Sequence, residues 1–213
     1  MPRLILASQS PRRAQLLRDA GYTFVQQSPP FADPDQPPEH LPHSLHEAEQ
    51  YATTLALQKA RSQAWHLFLV VGPTVILAAD TLCVTCGGTS GGGGELIGKP
   101  RDRDDARAML TSFANGVHAV VTGVALLGVG PEDAGPITFA DTAHVSVGEL
   151  TDALLEPYLT SGGWQGKAGA YNLFDRQADG WPITVQGDRA TVVGLPMGKL
   201  VERLAYAGIA SSA

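Results

Sequence analysis

Lysine is scarce in this sequence: four residues among 213, with arginine supplying the other eleven of the fifteen basic side chains. Acidic residues outnumber basic ones, 21 to 15, and the formal net charge is −6. The basic footprint that a nucleic-acid polymer demands is therefore missing, and no such partner is expected. A small anion still binds wherever the few cations converge. Long apolar runs are missing too. The stretch at residues 67–71 is far shorter than a membrane span, so no membrane partner is expected. Met1-Pro2-Arg3 opens without a long apolar signal region, and the expectation is a soluble, cytoplasmic protein. Cysteine is limited to Cys83 and Cys86, one C-x-x-C in a β-rich run where positions three apart point to opposite faces. His40, His43 and His46 sit in or just after a Pro-rich stretch and complete no zinc pattern. Two small buried residues are the plainer account of the cysteines.

What remains is a globular composition, 44% hydrophobic and 17% charged, enough for one large domain over residues 1–213. The most informative stretch is Ala7-Ser8-Gln9-Ser10-Pro11-Arg12-Arg13, directly after the apolar Leu4-Ile5-Leu6. A strand runs into a tight turn, and a helix leaves with Ser10 at its cap and Pro11 at its first position, where the missing N–H costs nothing. Arg12 and Arg13 oppose the helix dipole there, so helix stability does not account for them. Backbone N–H groups, the Ser8 and Ser10 hydroxyls and two guanidinium forks at one point suit a phosphate.

The hydrophobic pattern alternates strand and helix, giving an α/β class with a mixed sheet. Strands are expected at residues 4–7, 23–27, 75–79 (ending in Asp80-Thr81 and resuming at 82–85), 95–97, 117–127, 137–147, 183–185 and 191–193. Helices are expected at residues 11–20, 44–66, 102–113, 149–159 and 196–207, with Gly21 stopping the first and Ser44-Leu45-His46-Glu47 forming a capping box for the second. Residues 28–42, with six prolines, and residues 87–94, nearly all glycine, are expected to be connections, as is 162–171.

Asp80 follows an apolar strand, which puts a carboxylate at the strand's carboxyl end, where open α/β sheets bind ligands. An acid there, beside a phosphate site, is what Mg²⁺ needs; the competing account is an Asx-turn with Thr81. Gly93-Gly94-Glu95-Leu96-Ile97-Gly98-Lys99 begins like a P-loop but continues with Pro100, so the magnesium hydroxyl is missing and no helix begins at Lys99. Lys99 remains available to phosphate as a point charge. Lys167 sits in Gly166-Lys167-Ala168-Gly169-Ala170-Tyr171, whose small residues suit close backbone approach to a ligand. His118, in an expected strand, suits a structural hydrogen bond as well as a catalytic role.

With Ala79-Asp80-Thr81, Gly98-Lys99-Pro100, His118 through Thr122-Gly123-Val124, and Val193-Gly194-Leu195-Pro196 added in order, nearly the whole chain resembles the Maf family of nucleoside triphosphate pyrophosphatases. The resemblance implies an ITPase-like mixed sheet with two lobes around a central cleft. It implies hydrolysis of NTP or dNTP to the monophosphate and diphosphate, a divalent metal (Mg²⁺ or Mn²⁺), and a homodimer. Ser8, Arg12, Lys59, Asp80 and Lys99 match its invariant polar positions, with Asp80 at that of the proton acceptor. Arg13 and Thr81 match positions marking the dTTP/UTP branch. Two places depart from the family pattern. Asp33 stands where a glutamate usually supports the metal, one methylene shorter. Phe174 stands where the pyrimidine branch carries a glutamine, so a ring that stacks replaces an amide that reads a base edge. On this reading Arg12, Lys59, Lys99 and Lys167 grip phosphates, Asp80 and Asp33 hold the metal, and Arg13, Thr81 and Phe174 face base or sugar. Modified nucleotides are further candidate substrates. The alternative is a nucleotide-binding regulator without turnover, for example of septum formation.

Overall fold

The apolar run at the N-terminus forms β1 (Arg3–Ala7), and the Ser-Pro-Arg-Arg turn leads into α1 (Pro11–Asp19). The computed structural model describes residues 2–31, 44–66, 72–85, 96–129 and 135–212. Asp33, His40, His43, Cys86, Glu95 and the glycine-rich connection at 87–94 lie outside them. After α1 come β2 (Val25–Gln27), α2 (Leu45–Trp65), β3 (Thr74–Thr85), β4 (Leu96–Ile97) and α3 (Arg103–Phe113). Then follow β5 (Gly116–Val129), β6 (Ile137–Val147), α4 (Asp152–Ser161), a 3₁₀ turn at Ala168–Ala170, α5 (Leu173–Ala178), β7 (Ile183–Gln186), α6 (Arg189–Val193) and α7 (Met197–Tyr206).

The seven strands form one mixed sheet in the order β2-β1-β3-β5-β6-β7, with β4 paired to β3. β1 runs parallel to β2 and β3, and the other pairings are antiparallel. The expected α/β class and mixed sheet are borne out. Polar caps open α1, α2 and α3: Ser10 Oγ accepts from Arg13 N at 3.3 Å, Ser44 Oγ from Glu47 N at 3.2 Å, and Asp102 Oδ1 from Asp105 N at 2.8 Å.

Side chains alternate across β3, so its even and odd residues build different cores. Ile76, Ala78, Leu82 and Val84 pack with Ala48, Ala52, Ala56 and Ala60 of α2. Gly123 of β5 lets that helix come close: a Cβ there would lie 2.3 Å from the Ala52 carbonyl carbon and the Thr53 nitrogen. On the other face, Leu77 and Ala79 pack with Ala14 and Leu17 of α1 and Leu200 and Leu204 of α7. Further along that face, Cys83 packs with Leu110 and Phe113 of α3 and Leu155 and Leu159 of α4. These two clusters are the two lobes, and Thr81 lies between them.

Three expectations need correction. β3 does not end at Asp80; it continues unbroken to Thr85, because each of its residues from Thr74 onward pairs with β5. What ends near Asp80 is its other neighbour, since β1 stops at Ala7 and its pairing with β3 stops at Leu77. Residues 191–193 are not a strand but the last turn of α6. Asp188 caps that helix through Ala190 N at 2.8 Å, and Leu195 N closes its far end on Ala190 O at 3.0 Å. Two satisfied ends outweigh the β-preference of Thr-Val-Val. Residues 173–178, for which no element was expected, form α5, capped by Asn172 through Asp175 N at 2.9 Å.

Candidate active site

Two adjoining cavities open between the lobes. The larger, about 480 Å³, is lined by the turn at Ser8–Ser10, by Arg12, Arg13, Lys59, Asp80, Lys99 and Lys167, and by Thr81 and Tyr171. The smaller, about 160 Å³, is more apolar and is lined by Thr81, Cys83, Tyr171, Leu173 and Phe174, with Arg12 at the boundary. All expected site residues except Asp33, which lies outside the described residues, line one cavity or both. Lys199 lines neither; it is held by Asp141 at 2.6 Å.

β1 and α1 lead into one wall of the larger cavity, with Ser8, Ser10, Arg12 and Arg13. Ser8 Oγ accepts from Ser10 N at 3.2 Å and from Arg13 Nη1 at 3.2 Å. Those contacts engage both lone pairs of the hydroxyl and leave its proton to donate toward an anion. Arg13 braces the site. Its guanidinium also donates to Ala79 O at 2.9 Å, to Gly194 O at 2.9 Å and to Thr81 Oγ1 at 3.0 Å. The two residues expected to mark base preference therefore touch each other, and Arg13 holds both Ser8 and Thr81 at the cavity wall.

On the α2 face, Lys59 Nζ donates to Asp80 Oδ1 at 2.5 Å, with both residues buried. The loop that follows Gly166-Lys167 meets the Gly98-Lys99 step through backbone: Gly169 N donates to Gly98 O at 3.1 Å. Gly169 holds φ at 70°, and a Cβ there would stand 3.2 Å from Cys83 Sγ, so the small residues of this loop serve conformation and close packing. Lys167 donates to Gly163 O. Burial, and then the Arg12 charge, push its ammonium below the ordinary lysine range. Arg12 and Lys167 thus repel across the cavity, a cost that a bound anion relieves.

His118 lines neither cavity. Its Nε2 lies 2.8 Å from Tyr171 Oη and its ring stacks on Phe113 at 4.1 Å, so it supports the Tyr171 side chain that both cavities share. Burial pushes its imidazole down to about 4. Phe174 is 43% exposed on α5, with the Arg189 guanidinium carbon 5.3 Å from its ring centroid.

Among the described residues no group of three His, Cys, Asp or Glu side chains converges on a metal position. His46 hydrogen-bonds to Gln50 instead, at 3.0 Å. The donor set fits the way Mg²⁺ is commonly held, by one or two carboxylates with substrate phosphates and water completing the shell. Among the described residues, Asp80 is the one carboxylate lining the larger cavity, and its Oδ2 has no partner. Also among those residues, no helix is long and apolar enough to cross a membrane.

Reasoning from sequence missed Thr122, Thr191 and the α6 residues Val192 and Val193 that line both cavities. Thr122 is wholly buried directly opposite Thr81 on β5. The available signal was a single hydroxyl inside the apolar Ala119–Leu127 run.

The chain is 37% identical to the dTTP/UTP pyrophosphatase of Myxococcus xanthus, over 97% of this chain and 93% of that protein. It is 37% identical to that of Salinibacter ruber over 94% and 89%, and 34% identical to that of Koribacter versatilis over 97% and 95%. The profile described as Maf-like protein matches residues 3–207, and the chain belongs to that family.

Proposed function

We propose that the protein is a nucleoside triphosphate pyrophosphatase that cleaves NTP or dNTP to the monophosphate and diphosphate, with dTTP and UTP as its preferred substrates. One observation carries the reading. In a chain of net charge −6, the larger cavity gathers Arg12, Arg13, Lys59, Lys99 and Lys167 around Asp80, the one carboxylate among the described residues that line it. Cations in such excess fit a polyanion, and one acid among them fits proton transfer. The names of the relatives support the choice of pyrimidine.

Attack of water at the α-phosphorus needs an oriented nucleophile, neutralised phosphate oxygens and a stabilised leaving diphosphate. Asp80, oriented by Lys59, accepts the proton of the attacking water. Arg12, Lys99 and Lys167 hold the phosphate chain, and the Ser8 hydroxyl donates to it. A divalent ion, Mg²⁺ or Mn²⁺, held by Asp80 with Asp33 in support, supplies charge neutralisation when bound. The smaller cavity takes the base. Residues 1–213 act as one domain, in the cytoplasm and as a homodimer, a state that light scattering checks.

The test is incubation with UTP, dTTP, CTP and GTP, with and without Mg²⁺, followed by ³¹P NMR. Monophosphate and diphosphate in equal amounts are expected. Release of orthophosphate alone, or binding without turnover, overturns the reading; the second result is that of a purely regulatory nucleotide-binding protein.

A further inference from the structure

We propose that Thr122, buried behind the cavities, sets the hydrogen-bonding polarity of Thr81 and so makes the smaller cavity favour a base that presents a ring N–H over one that presents a bare ring nitrogen. The proposal rests on the nucleotide-hydrolysing reading above and goes beyond it to a positioning residue outside the cavities.

The polarity follows from counting protons. A threonine hydroxyl has one proton and two lone pairs. Thr122 Oγ1 lies 2.8 Å from Thr191 O, and a carbonyl only accepts, so the Thr122 proton points there. Thr81 Oγ1 lies 3.0 Å from Thr122 Oγ1, and with the Thr122 proton engaged, Thr81 donates in that contact. Arg13 Nη2 lies 3.0 Å from Thr81 Oγ1, and a guanidinium only donates. Protons therefore run in one direction, from Arg13 to Thr81 to Thr122 to the Thr191 carbonyl. Thr81 keeps one lone pair and no proton for a ligand.

The far end of this chain is anchored. Thr191 Oγ1 donates to Asp141 Oδ2 at 2.5 Å. α6 is thereby tied to β6, and the accepting carbonyl stays in place. Thr122 is wholly buried, whereas Thr81 is half-buried and lines both cavities. The hydroxyl a ligand meets is thus Thr81, in a state decided by Thr122. Uracil and thymine carry a ring N–H at N3 that satisfies an acceptor. Cytosine carries a lone pair at N3, and two lone pairs facing each other leave both unpaired.

The experiment compares kcat/KM for UTP, N3-methyl-UTP and CTP. In the wild type, UTP is expected to exceed both others by at least tenfold, because each loses the N–H. Thr122→Val keeps the side-chain shape, removes the hydroxyl and releases the Thr81 proton to turn toward the ligand. The UTP-to-CTP ratio is then expected to fall at least fivefold, while Thr122→Ser keeps it. A purely structural role for Thr122 predicts loss on both substrates in proportion, with the ratio unchanged, and that result overturns the proposal. If Thr122→Val does not fold, the wild type decides: equal kcat/KM for UTP and N3-methyl-UTP overturns it. Calorimetric binding of the α,β-methylene analogues of UTP and CTP measures the same ratio without turnover. Absence of hydrolysis therefore sinks the pyrophosphatase reading while the binding ratio still decides this one.

Discussion

Lys59 Nζ stands 2.5 Å from Asp80 Oδ1, joining the C-terminal half of α2 to the middle of β3 at the wall of the larger cavity. A buried ion pair of this kind is weak evidence for stability but strong evidence that its two members depend on each other. Asp80→Asn is expected to fold and to lower turnover by roughly two to four orders of magnitude, the range for losing a positioned acid–base group or metal ligand. Lys59→Met leaves the buried carboxylate unpartnered and is expected to cost about 3–5 kcal/mol of stability as well as turnover. Urea unfolding and kcat on both variants check the pair. Near wild-type turnover by Asp80→Asn would refute the mechanism.

Arg12→Ala and Lys99→Ala are each expected to lower kcat/KM by about ten- to a hundredfold, the loss of one charge-assisted contact. Lys199→Ala is the control. Lysine scarcity alone does not separate it from Lys99, but it lines neither cavity. Its expected effect on kcat/KM for UTP is under threefold. Equal losses in all three variants would show that convergence in the cavity carries no functional information.

Phe174 lines the smaller cavity with no polar atom to offer a base. Apolar contact discriminates weakly, whereas a site built on hydrogen bonds discriminates by orders of magnitude. Wild-type preference is therefore expected to be flatter than Arg13 and Thr81 alone imply, and Phe174→Gln is expected to sharpen it toward dTTP and UTP. The measurement is kcat/KM for dTTP, UTP, CTP and GTP on both proteins. A steep preference left unchanged by the substitution removes Phe174 from the specificity determinants.

His118 gives the fold an acid limit. Burial pushes its imidazole from the ordinary 6.5 to about 4. Between those values the unfolded chain binds a proton that the folded chain does not, so stability rises with pH across the window and is lost as pH falls from 6.5 to about 4. The full loss from this group is about 3 kcal/mol, of which about 2 falls between pH 7 and pH 5. Urea midpoints at those two pH values are expected to differ more in the wild type than in His118→Gln, which lacks the titrating ring.

Gly123→Ala pushes a methyl group into the α2 backbone at Ala52 and Thr53. Overpacking of this kind costs about 1–3 kcal/mol. Because α2 carries Lys59, kcat is expected to fall along with the melting temperature. A variant that loses stability but keeps full kcat would show that the seat of α2 and the position of Lys59 are independent.

Much of the site was legible because local chemistry wrote it. Ser10 and Pro11 cap a helix whose first turn carries arginines that the helix dipole disfavours. Two scarce lysines follow glycines, and one acid follows an apolar strand. Each pattern depends on neighbours in sequence. The boundaries that failed depended on neighbours in space. β3 continues through Asp80 because β5 accompanies it to the end, and Thr-Val-Val is helical because Asp188 caps it and the Thr191 carbonyl receives Thr122.

The sequence by itself determined the α/β class, the strand-turn-helix that presents Ser8 and Arg12, and the small set of charged residues from which a site was to be built. Hydrophobic period, cap chemistry and side-chain type are properties of short segments. Tertiary structure alone decided how the charges are paired: Lys59 with Asp80 and Lys199 with Asp141, while Arg13 became a brace. It also decided which way the hydroxyl of Thr81 points. The direction of a hydrogen bond depends on what every partner has left to give, and those partners, Arg13, Thr122 and the Thr191 carbonyl, come from α1, β5 and α6 and meet only when the lobes close on one sheet.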